Sequence, residues 1–153
     1  MASMKDSFGG VSVSALRAQL AAARGIEDPR VRAKQLYFVA RRLLSCQGGR
    51  TSEIGSLSAV VALHAAAQLG HSHAALAYAR IMLRNLVALE ASEARQASEA
   101  REARRELQLT VVSMLMQAAF AELAPARRLL RKVLRRWPEL RAAPLEKEPV
   151  VLN

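Results

Sequence analysis

Apolar residues recur at three- and four-residue spacing almost from end to end of this chain, and no long β-branched alternation interrupts them. Leu16, Leu20 and Ala23 share such a stripe, as do Val31, Leu36, Val39, Leu43 and Leu44, and later Ala126, Leu130, Val133, Leu134 and Trp137. A period of 3.6 residues places each set on one face of an α-helix, whereas a strand would need a period of two. The apolar mass is Ala, Leu and Val, with only 4% aromatic residues, which suits close helix–helix packing by strong helix formers. The expected class is all-α.

Local signals divide the stripe into about six helices in three antiparallel hairpins, a short solenoid or a helical bundle. Ser12 or Ser14 is a start signal, because a serine oxygen accepts an otherwise unpaired first-turn amide. Gly25 would close that helix through a left-handed residue. Asp28-Pro29 opens a second helix, whose end falls at Cys46 and Gly48-Gly49. Thr51-Ser52-Glu53 opens a third, stopped by Gly70, and a fourth starts near Ser72. Between Glu90 and Glu106 the large apolar residues give way to Ala, Glu and Arg. That segment reads as a charged helical extension or linker, with the fifth helix resuming at Leu107. Pro125 starts a sixth helix, which ends where Trp137 meets Pro138. A single helical domain over 12–140 is therefore expected, with a flexible lead at 1–11 and a tail at 141–153.

Two segments resemble the tetratricopeptide family of helical repeats. Gly70, Ala75 and Tyr78 match one hairpin's pattern, and Ala126, Leu130, Val133 and Pro138 match the second helix of another, Val111–Leu140. The likeness covers about half of the chain, and the segment 90–106 breaks its period. It implies a groove that takes a peptide or helix from another protein, not catalysis.

Charge narrows the partner. The formal net charge is +10, and it is uneven. Residues 1–50 hold nine Lys/Arg against three acids, residues 111–153 hold eight against four, and residues 51–110 hold six of each. Such a balance attracts acidic proteins, nucleic acid or anionic lipid. The sharpest feature is the run Arg127, Arg128, Arg131, Lys132, Arg135 and Arg136 on the sixth helix, opposite the stripe Ala126–Trp137. Three readings of it stand open: a solvated back, a docking surface for an acidic partner, and a lipid-surface helix. The expected function is a non-enzymatic protein–protein interaction module, an adaptor, chaperone or assembly subunit, with this basic helix facing its partner. A basic RNA-associated subunit of a ribonucleoprotein such as a ribosome is the alternative, though aromatic stacking platforms and zinc-finger or helix-turn-helix signatures are missing. Homo-oligomerisation through Ala-rich faces is open.

Other chemistry has less to stand on. A lone Cys46 excludes an intrachain disulfide and suits a reducing compartment. His64, His71 and His73 lack the Cys or acid companions that zinc sites usually have nearby, so no metal or cofactor is expected. Met82, Met114, Met116 and Phe120 are expected in the core. No apolar stretch is long enough to span a bilayer. A cytoplasmic location follows from these features, with a mitochondrial one as alternative because Arg17, Arg24, Arg30 and Arg32 occur with few acids.

Overall fold

The computed structural model describes residues 12–46, 53–92 and 98–141. Among these there are six α-helices and no strand: α1 (Val13–Arg24), α2 (Pro29–Cys46), α3 (Glu53–Gln68), α4 (Ser72–Ser92), α5 (Ser98–Phe120) and α6 (Ala124–Arg136). A short 3-10 turn, Pro138–Arg141, follows α6. The all-α class is thus the observed one. The lead 1–11, the Gly48-Gly49 stop, Thr51-Ser52, the Cys46 side chain and all of the expected tail 141–153 but Arg141 lie outside the described residues. The helices divide between two units, Met1–His71 and Ser72–Asn153.

In the first unit α2 packs against both α1 and α3. Its stripe of Ala33, Leu36, Val39, Ala40 and Leu43 is buried, as are Leu16, Leu20 and Ala23 of α1. From α3 come Ala59, Ala62, Leu63, Ala66 and Ala67. Alanines at these contacts let helix axes approach toward the short end of the usual range, roughly 8 Å. The Ser12 hydroxyl accepts from the Ala15 amide at 3.2 Å, and the Asp28 carboxylate accepts from Arg30 N–H at 2.8 Å, so both start signals act as caps. Arg32 ties the intervening turn, its Nε donating to the Ile26 carbonyl at 2.6 Å. Gly25 does not do what its identity suggested: its φ is −81°, right-handed, and its N–H reaches the Ala22 carbonyl in a tight final turn.

In the second unit α5 is the middle helix, with α4 and α6 packed on it. Leu86, Val111, Leu115, Ala118 and Ala126 have no exposed surface, and Val133 has almost none. Each fully buried Leu or Val contributes about 1.5–3 kcal/mol from apolar area removed from water. α5 begins about two and a half turns before Leu107. Ala, Glu and Arg are strong helix formers, so the Ser98–Glu106 segment extends the helix without a large apolar residue to anchor it. Residues 93–97 of the expected linker lie outside the described residues.

Two helix ends share one device with opposite residues. After α3, Gly70 sits at φ 88°, while its N–H and that of His71 donate to the Ala67 and Ala66 carbonyls. After α5, Glu122 takes φ 63°, with Glu122 and Leu123 donating to Ala119 and Ala118. This arrangement satisfies the last carbonyls but needs a left-handed residue, which costs roughly 1–2 kcal/mol where a Cβ is present. Gly70→Ala is therefore expected to lower stability by about 1 kcal/mol, and Glu122→Gly to raise it by about 0.5–1 kcal/mol. Urea midpoints of the two variants check both signs. A shift of the same sign in both would contradict the left-handed assignment.

Candidate docking surface

α6 separates its residues by face. Ala126 and Val133 are buried, Leu130 and Leu134 half-buried, and Trp137 at its end is buried too. Arg127, Arg128, Arg131, Lys132, Arg135 and Arg136 are all exposed. The face of Ala126, Val133 and Trp137 is used in packing, so that side of α6 is not free to lie in lipid. Among the described residues no helix is long and apolar enough to cross a membrane.

The six cations do not form one set. Arg127 faces back to the α5–α6 turn: its Nε donates to the Ala119 carbonyl at 3.3 Å, and its Nη2 lies 3.8 Å from the Glu122 carboxylate. Both side chains of that pair are mostly exposed, so it contributes little. Arg136 donates to Glu90 Oε2 at 2.6 Å, while Trp137 Nε1–H donates to Glu90 Oε1 at 3.1 Å. One carboxylate at the end of α4 thereby holds two consecutive residues at the end of α6. Arg131 and Arg135 lie four residues apart on an exposed flank.

Arg128 and Lys132 line a shallow groove with residues of α4. One part is lined by Arg80, Pro125, Arg128, Leu129 and Lys132, with a volume of about 270 Å³. The adjoining part, about 440 Å³, is lined by Arg80, Leu83, Arg84, Val87 and Leu129. On α4 the lining residues Arg80, Leu83, Arg84 and Val87 follow the i, i+3, i+4, i+7 spacing of one helical stripe. On α6, Pro125, Arg128, Leu129 and Lys132 repeat the same spacing. Each wall thus alternates cationic and apolar side chains, and among the described residues no acid lines either part.

Arg80 and Arg84 were not among the residues singled out from the sequence. Averaging charge over 51–110 gave zero and hid them, although no acid occurs from Ile54 to Leu89. A stripe-by-stripe count on the fourth helix would have found them.

The histidines are placed singly. His71 stacks on Tyr37, with ring centroids 4.5 Å apart, His64 is half-buried and His73 is exposed. Among the described residues no three His, Cys, Asp or Glu side chains converge where a metal could be held. Met114 is buried, and Met82 and Met116 are half-buried, but Phe120 is 81% exposed. Phe120 is the last residue of α5 and lies about 200° around the helix from Ala118, on the side away from the buried stripe of Val111, Leu115 and Ala118.

Comparison with protein-family models, with curated proteins and with solved structures brings no match for this chain.

Proposed function

We propose that this protein is a non-enzymatic protein–protein interaction module, an adaptor, chaperone or assembly subunit, whose hairpins are tetratricopeptide-like and whose α6 docks an acidic partner. The observation that carries this reading is the division of α6 into a packed apolar face and an exposed row of cations. Arg128, Arg131, Lys132 and Arg135 have no ion-pair partner among the described residues that would neutralise them. A row of like charges held on a rigid helix raises a local potential that steers an acidic surface toward it, acting on encounter rate more than on affinity.

The test uses the full chain as bait in native lysate, at low and moderate salt, with and without nuclease, beside the Arg131→Glu/Arg135→Glu variant. Protein partners should persist after nuclease, and the reversal should cut their retention about tenfold and flatten its dependence on salt. If retention collapses on nuclease treatment, the cations serve nucleic acid and the chain is a ribonucleoprotein subunit. If the reversal changes neither retention nor salt dependence, the α6 face is only solvated surface.

A further inference from the structure

We propose that the groove between α4 and α6 seats a short acidic amphipathic helix of the partner, with Arg80, Arg84, Arg128 and Lys132 flanking an apolar floor of Leu83, Val87 and Leu129. This rests on the docking reading above and assigns it a seat, a partner chemistry and two arginines outside α6.

The geometry selects a helix. α4 and α6 run in the same direction, because Arg80 shares a lining with Pro125 to Lys132 while Glu90, further along α4, meets Arg136. Two side-by-side helices leave a slot shaped for a third, whose apolar stripe enters between them. From Arg80 to Val87 the slot is roughly 10 Å long at 1.5 Å per residue, about two helical turns. Cations stand four residues apart on each wall, one turn, so acids flanking the stripe of an incoming helix at the same repeat can face them. Val87 is 41% exposed, and Leu83 and Leu129 are half-buried, so apolar area remains to be covered.

The same lining disfavours a nucleic acid strand. A phosphate backbone would gain from the four cations but nothing from Leu83, Val87 and Leu129, and among the described residues no aromatic side chain lines the groove to stack a base. At the far end Glu90 is held by Arg136 and Trp137, which closes the slot with an acid and sets where an acidic occupant must stop.

The probe is a fluorescein-labelled peptide of Glu, Ala and Leu of about 14 residues, four turns, with Leu at i, i+3, i+4 and i+7 and Glu on both flanks. Its control has the same composition scrambled to destroy the stripe. Fluorescence anisotropy with the full chain should show the striped peptide binding at least about tenfold more tightly than the scrambled one. Val87→Glu, a change at an exposed position, should abolish that preference with the helical circular-dichroism signal intact, and Arg80→Glu/Arg84→Glu should weaken the striped peptide at least as much. Equal binding of both peptides, insensitive to Val87→Glu, would overturn the groove. If that binding is lost in Arg131→Glu/Arg135→Glu, the acidic-partner reading of α6 stands without it. Binding of neither peptide also overturns the groove, and tight binding of a single-stranded RNA in their place overturns both readings.

Discussion

Leu115→Ala is expected to remove about 3 kcal/mol of stability, within the 2–5 kcal/mol range of buried leucine truncations. Leu115 has no exposed surface and lies on α5, the helix against which both α4 and α6 pack. Truncation loses the transfer free energy of the removed carbons and leaves a cavity that the surrounding packed side chains would have to collapse into. Val111 and Ala118, one turn to either side, are equally buried and fixed in the same stripe, so relaxation is limited. The same truncation at Leu129, half-buried on the groove wall, should cost well under half as much, since water already covers part of that side chain. The chain has a single tryptophan, Trp137, buried in this unit, so its fluorescence during urea unfolding reports on the packing directly. Natural domains hold only about 5–15 kcal/mol in total, so a loss of this size moves the midpoint far. A loss below about 1 kcal/mol at Leu115, or equal losses at both positions, would contradict an α5-centred core.

The two positions also show how far sequence reading reached. Leu115 belongs to a stripe that any helical projection finds, because burial on one face demands a fixed period and leaves it in the text. The caps were legible for a similar reason. Ser12, Asp28 and Pro125 each solve a local problem, an unpaired amide or a missing one, within three residues of themselves. Gly70 was legible as a stop because its left-handed φ is one that glycine alone adopts freely.

Elsewhere the text was ambiguous for physical reasons. Gly25 carries the same letter as Gly70 but keeps right-handed dihedrals, because glycine permits either conformation and the Asp28-Pro29 start only three residues on leaves a tight turn. Glu122 does the reverse, taking a left-handed conformation where no residue preference announces it. The start of α5 was placed too late because apolar spacing marks where a helix packs, not where it begins. The groove was the harder loss. Its α6 wall lay within the basic run, but its α4 wall holds two arginines in a segment of balanced average charge. Which stripes of two separate helices face each other is a tertiary fact, carried by α5 between them and by the Glu90 contacts with Arg136 and Trp137. In the sequence Glu90 only marks the start of the charged segment. It instead joins two helices whose sequence separation exceeds forty residues.

Trp137→Ala should be among the most damaging single changes, with an expected loss of about 3–5 kcal/mol. Trp137 is only 5% exposed and stands at the C-cap of α6, where its backbone N–H closes the helix on the Val133 carbonyl. Its indole combines two contributions, a large apolar body and a donor to Glu90, and two further variants separate them. Trp137→Phe keeps most of the ring area and loses the donor, so it should cost about 1–2 kcal/mol. Glu90→Ala leaves the indole N–H without its acceptor in a mostly buried place, at about 1–3 kcal/mol. The ion pair with Arg136 adds little to that figure, because half of the arginine's surface is in water. In the Trp137→Phe background Glu90→Ala should therefore cost less by about 1 kcal/mol, the coupling assigned to the indole–carboxylate bond. Helical circular dichroism against urea is the measurement, since every one of these variants except Glu90→Ala lacks the fluorophore. Strict additivity of Glu90→Ala and Trp137→Phe would mean that the carboxylate does not engage the indole, and the closed end of the α4–α6 groove would lose its support. A clear coupling would tie the shape of that groove to one buried donor and one carboxylate, so Glu90→Ala should loosen the striped peptide although Glu90 is an acid whose removal would otherwise favour an acidic ligand.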